Sequence, residues 1–146
     1  MTNITIKGNY RKRSQQGVGG QSMVQIIAGE KGKGKTKYLL EKVNSSVQTA
    51  TGNIVYLDKS QKHMHELSNK VRLINVADYP ITNCDEFLGF ICGIVSQDYD
   101  LQEMYLDSFL TIANLEGQDI THAIEKLDII KRKILMLNFC FKRFQK

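Results

Sequence analysis

Between the apolar run MVQIIA, residues 23–28, and a helical pattern that begins near Lys35 stands the octet GEKGKGKT, Gly29 to Thr36. No other feature of the chain limits the fold as much, because it satisfies G-x-x-x-x-G-K-[ST] at a strand-to-helix junction, where that pattern has a physical use. Its glycines allow the backbone to curl so that successive N–H groups point inward, a geometry that a Cβ would obstruct. The following helix adds its unsatisfied N–H donors and the positive end of its dipole. A loop of this kind holds a polyphosphate. The residues predicted to line it are Gly29, Glu30, Lys31, Gly32, Lys33, Gly34, Lys35, Thr36 and Lys37. Lys35 is placed to reach the β- and γ-phosphates and the Thr36 hydroxyl to ligate Mg2+. The expected ligand is ATP with Mg2+, since no N-K-x-D segment supports guanine.

From Met23 onward, short apolar runs alternate with helical patterns, as in β-α units that close on a parallel sheet. The predicted strands are 23–28, 53–58, 71–76, 103–108 and 134–141, and the predicted helices 35–49, 61–69, 83–97 and 118–132. Asn83 and Glu86 are spaced as a capping box at the start of the third helix. The expectation is an α/β, P-loop NTPase-like fold of three layers around a mostly parallel sheet of about five strands. A chain of 146 residues, 42% of them hydrophobic, is enough for one such core. Residues 1–22 are polar and rich in Gly, Ser and Gln, and read as a flexible basic tail ahead of a nucleotide-binding domain at 23–146.

The formal charge of +5 is unevenly placed. Residues 1–22 hold four basic and no acidic groups and residues 131–146 six basic and no acidic groups, which leaves a net −5 on residues 23–130. Such terminal excess reads as solvated tails, with nucleic-acid contact as the weaker alternative. No apolar run approaches the roughly 20 residues that span a bilayer, and the start lacks a signal-peptide stretch. The expected setting is the cytoplasm, with no membrane partner. Cys84, Cys92 and Cys140 are odd in number and lack a C-x-x-C pair, which suits reduced thiols.

A phosphate loop needs a carboxylate at the end of a nearby strand to orient Mg2+, and two apolar strands end in aspartate, Asp58 in IVYLDKS and Asp107 in MYLDS. The order of these segments resembles the ATPase core of RecA-like recombinases. That resemblance implies a sheet order of 3-2-4-5-1 in the five predicted strands, makes Asp107 the Walker B aspartate and the better magnesium ligand, and gives Asp58 the intervening acidic position. GEKGKGKTKYL, NIVYLDK, the stretch from Val71 to Asp100 and MYLDSFL are also similar to a family of short P-loop proteins of clostridia-like bacteria, often labelled ATP-binding or twitching-motility-like. No motor-specific motif accompanies them. Where the recombinase pattern has a catalytic glutamate, two residues past the second strand's aspartate, this chain has Ser60, and Glu66 reads as a solvent-facing substitute at best.

The expected function is thus ATP·Mg2+ binding through Lys35, Thr36 and Asp107, with weak or partner-dependent hydrolysis that a homo-oligomer or protein partner would complete. A small-molecule kinase and a non-hydrolysing, nucleotide-gated interaction module are the alternatives. His63 and His65, two residues apart, are set aside as metal ligands, and Tyr56, Tyr99 and Tyr105 are assigned to packing.

Overall fold

β-branched and aromatic residues crowd the run NIVYLD and recur in VRLIN, LQEMYL adds Tyr105 among leucines and a methionine, and the pleated, half-buried surface of a strand accommodates them. The computed structural model describes residues 2–11, 21–29, 34–130 and 136–142, with side chains over 34–130. Its strands are β1 (Thr2–Arg11), β2 (Gln21–Gly29), β3 (Asn53–Asp58), β4 (Val71–Asn75), β5 (Leu101–Leu106) and β6 (Met136–Lys142). The helices are α1 (Lys35–Ser46), α2 (Cys84–Gln97), α3 (Phe109–Ile112) and α4 (Thr121–Ile130). Among the described residues the strands form one sheet in the order β1-β2-β6-β5-β3-β4. β2 to β6 run parallel, and β1 pairs antiparallel with β2. The chain is α/β. No helix among the described residues is long and apolar enough to cross a membrane.

Alternation along β3 and β5 separates two cores. Ile54, Tyr56 and Tyr105 pack with Leu39, Leu40 and Val43 of α1 on one face. Val55, Leu57, Met104 and Leu106 pack on the other with Phe87, Leu88 and Ile91 of α2, α3 and the inner side of α4. Helices therefore cover both faces, for a topological reason. From β2 the chain travels through α1 to β3 and on to β4, then returns through α2 to β5 and through α3 and α4 to β6. Reversing the direction of travel while keeping right-handed crossovers puts the later helices on the opposite face. The outgoing and returning connections part between the C-terminal ends of β3 and β5, the switch point at which open α/β sheets form their crevice.

Register decides what stands at that crevice. β3 and β5 pair Asn53 with Leu101 but Ile54 with Glu103, so Gln102 is an extra residue. Without it Asp58 would stand beside Leu106; with it, the pairing of Leu57 with Leu106 and the Asp107 N–H donating to Leu57 O at 2.9 Å bring Asp58 level with Asp107. The bulge is fixed from the side by Gln102 Oε1, which accepts from the N–H of Thr51 and of Gly52 at 3.1 and 2.8 Å. Gly52 is required there because a Cβ would lie 2.4 Å from the carbonyl oxygen of Asp100.

Several local expectations need correction. Residues 2–11, assigned to a flexible tail, form β1. Ile4, Ile6 and Tyr10 alternate with polar residues there, a period-two signal masked by the Gly-, Ser- and Gln-rich remainder of the segment. The helix expected at 61–69 is a single 3₁₀ turn at Met64–Glu66, and the short α3 was not anticipated. α2 starts as predicted at Asn83, whose Oδ1 accepts from Glu86 N–H at 2.9 Å, but Glu86 Oε1 reaches Thr82 N–H instead of closing the box on Asn83.

Gly52→Ala should lower the unfolding free energy by about 1–3 kcal/mol, because the clash is with backbone that cannot swing aside. Urea unfolding of variant and wild type checks this, and equal midpoints would refute the account of the bulge.

Candidate functional site

The C-terminal ends of the parallel strands lie on one edge of the sheet, and α1 begins at that edge. β2 ends at Gly29, level with Lys142 of β6. Glu30, Lys31, Gly32 and Lys33 lie outside the described residues. The description resumes at Gly34, whose φ of 76° and ψ of 20° are left-handed, a conformation that suits glycine. Gly34 caps α1 without any side-chain hydrogen bond, and the first turn of the helix carries no acidic residue. The N–H groups of that turn are thus neither capped by the Gly34 position nor faced by a carboxylate within the turn.

The next two residues turn into the protein. Lys35 is 8% exposed. Burying an ammonium is costly unless anionic or polar groups surround it, so its position is informative. Thr36 Oγ1 donates to Asp107 Oδ1 at 3.2 Å, across 71 residues of sequence. Lys37, one step further round the helix, is exposed.

Asp107 is held from three sides and is 2% exposed. Besides Thr36, its Oδ1 accepts from Ser108 N–H at 2.8 Å, and its Oδ2 accepts from the Tyr56 hydroxyl at 2.8 Å. Ser108 has a φ of 53°, a left-handed conformation uncommon for a residue with a Cβ, and it turns the chain sharply from β5 into α3. Tyr56 is fully buried and stacks on Tyr105 with ring centroids 6.2 Å apart. It packs, as expected, but its hydroxyl also orients the aspartate. Strand alternation contained that clue, since Tyr56 lies two residues before Asp58 on the face that α1 covers. Lower on the same face, the Tyr105 hydroxyl donates to the buried Glu103 at 2.5 Å, and burial together with that carboxylate pushes the phenol well above its ordinary range.

Asp58, also 2% exposed, stands beside Asp107. Its Oδ1 accepts from Lys59 N–H at 2.7 Å, whereas its Oδ2 is buried and has no hydrogen-bond partner among the described residues. Burial, and next the neighbouring Asp107 charge, raise its pKa above the usual aspartate value; the Lys59 N–H and the His63 and Lys59 charges oppose that rise. His63 is the residue that the sequence did not bring to the site. Set aside with His65 as a metal ligand on the spacing of the two, it is carried by the loop after β3 to within 4.8 Å of the Asp58 and Asp107 carboxylate oxygens. Ser60, at the position where a catalytic glutamate was sought, accepts from Lys62 N–H at 3.3 Å. Glu66 Oε1 contacts His63 Nδ1 at 3.2 Å, with the glutamate side chain 59% exposed.

The edge thus brings Lys35, Thr36, Asp107 and Asp58 together and adds Tyr56 and His63. A hydroxyl and two carboxylates are hard oxygen donors, and one carboxylate oxygen lacks a partner among the described residues, so the residues present fit a divalent cation such as Mg2+. Searches for related proteins found no protein-family model that matches the chain and no curated protein similar to it in sequence.

With its pKa raised in the folded state, the Asp58 carboxyl favours folding while protonated and loses that contribution as the pH rises through the raised value. Asp58→Asn, in the presence of a chelator, should therefore be more stable than wild type at neutral pH, within the roughly 0.5–2 kcal/mol that stabilising substitutions give. The gain should shrink as the pH falls through the raised value and be gone below about 4, the ordinary aspartate range. Urea unfolding across this pH range reads the difference, and a variant less stable than wild type at pH 7 would contradict the repulsion described.

Proposed function

We propose that the protein binds ATP with Mg2+ at the end of β2 and the start of α1, and that hydrolysis is weak or depends on a partner. The observation that carries this reading is the hydrogen bond from Thr36 to Asp107, next to a buried Lys35 and a left-handed Gly34. In a phosphate loop the lysine neutralises phosphate charge, and the threonine hydroxyl and strand-end aspartate place the cation. Mg2+ would be held by Thr36 and Asp107, with Asp58 close by, and would supply charge neutralisation at the β- and γ-phosphates. Gly34 and the open first turn of α1 would provide backbone donors to the same oxygens.

The parallel strands follow one another as β4-β3-β5-β6-β2, which corresponds to 3-2-4-5-1 in the predicted numbering and supports a RecA-like reading of the core. The crevice between β3 and β5 lies where open α/β sheets bind ligands. Weak turnover follows from what replaces the catalytic glutamate. Ser60 offers no carboxylate, and the Glu66 carboxylate faces His63 and solvent. A general base must stand within hydrogen-bond reach of the attacking water, so a neighbouring subunit or protein partner would have to supply it.

Isothermal titration with ATP·Mg2+ tests the reading. Wild type should bind saturably at one site, and Lys35→Ala should bind at least tenfold more weakly, a loss of about 1.4 kcal/mol or more. Absence of binding by wild type, or equal affinity in the variant, would remove the proposal.

A further inference from the structure

Phosphate binding leaves two of the groups at the strand edge without a task. Asp58 and His63 are not part of the phosphate loop, but one carboxylate oxygen from each of Asp58 and Asp107 and one ring nitrogen of His63 lie within 4.8 Å of one another. An ion about 2.1 Å from each ligand places those ligands about 3–4 Å apart, so small adjustments would seat one cation among the three. The Asp58 side chain is almost wholly buried, and its Oδ2 has no hydrogen-bond partner among the described residues. Folding rarely leaves a buried carboxylate oxygen in that state, and a cation is the partner that also relieves the like charge of Asp107 alongside.

The histidine is arranged for the same purpose. Its Nδ1 lies 3.2 Å from Glu66 Oε1, and an ionised carboxylate can only accept, so Nδ1 is the donor in that pair and Nε2 is the nitrogen left to take a cation. A carboxylate behind a metal-bound imidazole is the usual outer partner that fixes its tautomer and orientation. The donor set is two carboxylate oxygens and one imidazole nitrogen. Mg2+ demands oxygen ligands and retains its waters, whereas first-row transition ions accept an imidazole readily.

We infer that Asp58, His63 and Asp107 form a binding site for a divalent transition-metal ion of the Mn2+, Co2+ or Zn2+ class, taken in preference to Mg2+. The inference goes beyond the nucleotide reading, with which it shares Asp107 and the neighbouring Asp58.

Titration of the full chain with Co2+, without nucleotide or Mg2+ and with no added histidines, tests this through the visible d–d absorption of the bound ion. Wild type should show a saturable band at one equivalent that Zn2+ displaces and a large excess of Mg2+ does not. His63→Ala, a change at a partly exposed position, should weaken Co2+ binding at least tenfold. Asp58→Asn should do the same, and His65→Ala and His122→Ala should titrate as wild type. A band unchanged in His63→Ala, displacement by Mg2+ as readily as by Zn2+, or no saturable band would overturn the inference. Those results leave nucleotide binding untouched, because it is read separately from the effect of Lys35→Ala on ATP·Mg2+ affinity.

Discussion

Side chains along a strand point alternately to opposite faces, and in β3 and β5 that alternation is locked by burial on both sides. Tyr56 and Tyr105 face α1, Leu57 and Leu106 face α2 and α3, and the next step along each strand returns to the α1 face at Asp58 and Asp107. A slip of one residue would send either aspartate towards the apolar core beneath α2. The acidic edge is therefore a consequence of core packing. The bulge at Gln102 and the glycine at position 52 are the local devices that set its register.

On this frame the hydrogen bond between Thr36 and Asp107 joins the first turn of α1 to the end of β5. The helix is carried to that place by Leu39, Leu40 and Val43, which pack on Ile54, Tyr56 and Val71. Asp107 is in turn oriented by Tyr56 and by the tight turn at Ser108. Such a carboxylate cannot wander. The arrangement has a cost, because Asp58 is buried beside it with one oxygen unpaired among the described residues, and local destabilisation of this kind concentrates at sites built to receive something.

Much of this was legible in the sequence because it is encoded locally. The Gly29 to Thr36 pattern, the apolar runs ending in Asp58 and Asp107, and the Asn83 cap each depend on residues close together in the chain. What was not legible depends on partners far apart. The bulge arises where Gln102 meets Thr51 and Gly52, and no periodicity in either segment announces it. His63 was obscured by a helical reading of 61–69, which the 3₁₀ turn replaces, and only the path of that loop carries the ring over the strand ends. β1 was missed because the composition of 22 residues was averaged over a ten-residue strand with its own alternation.

The central claim is that the start of α1 and the end of β5 together receive a nucleoside triphosphate. Amide proton–nitrogen correlation spectra recorded with and without ATP·Mg2+ examine it residue by residue. The account predicts that the largest shifts fall on Gly34, Lys35, Thr36, Asp107 and Ser108, with the outer faces of α2 and α4 unmoved. Shifts confined to other surfaces, with those five amides unchanged at saturating nucleotide, would contradict it.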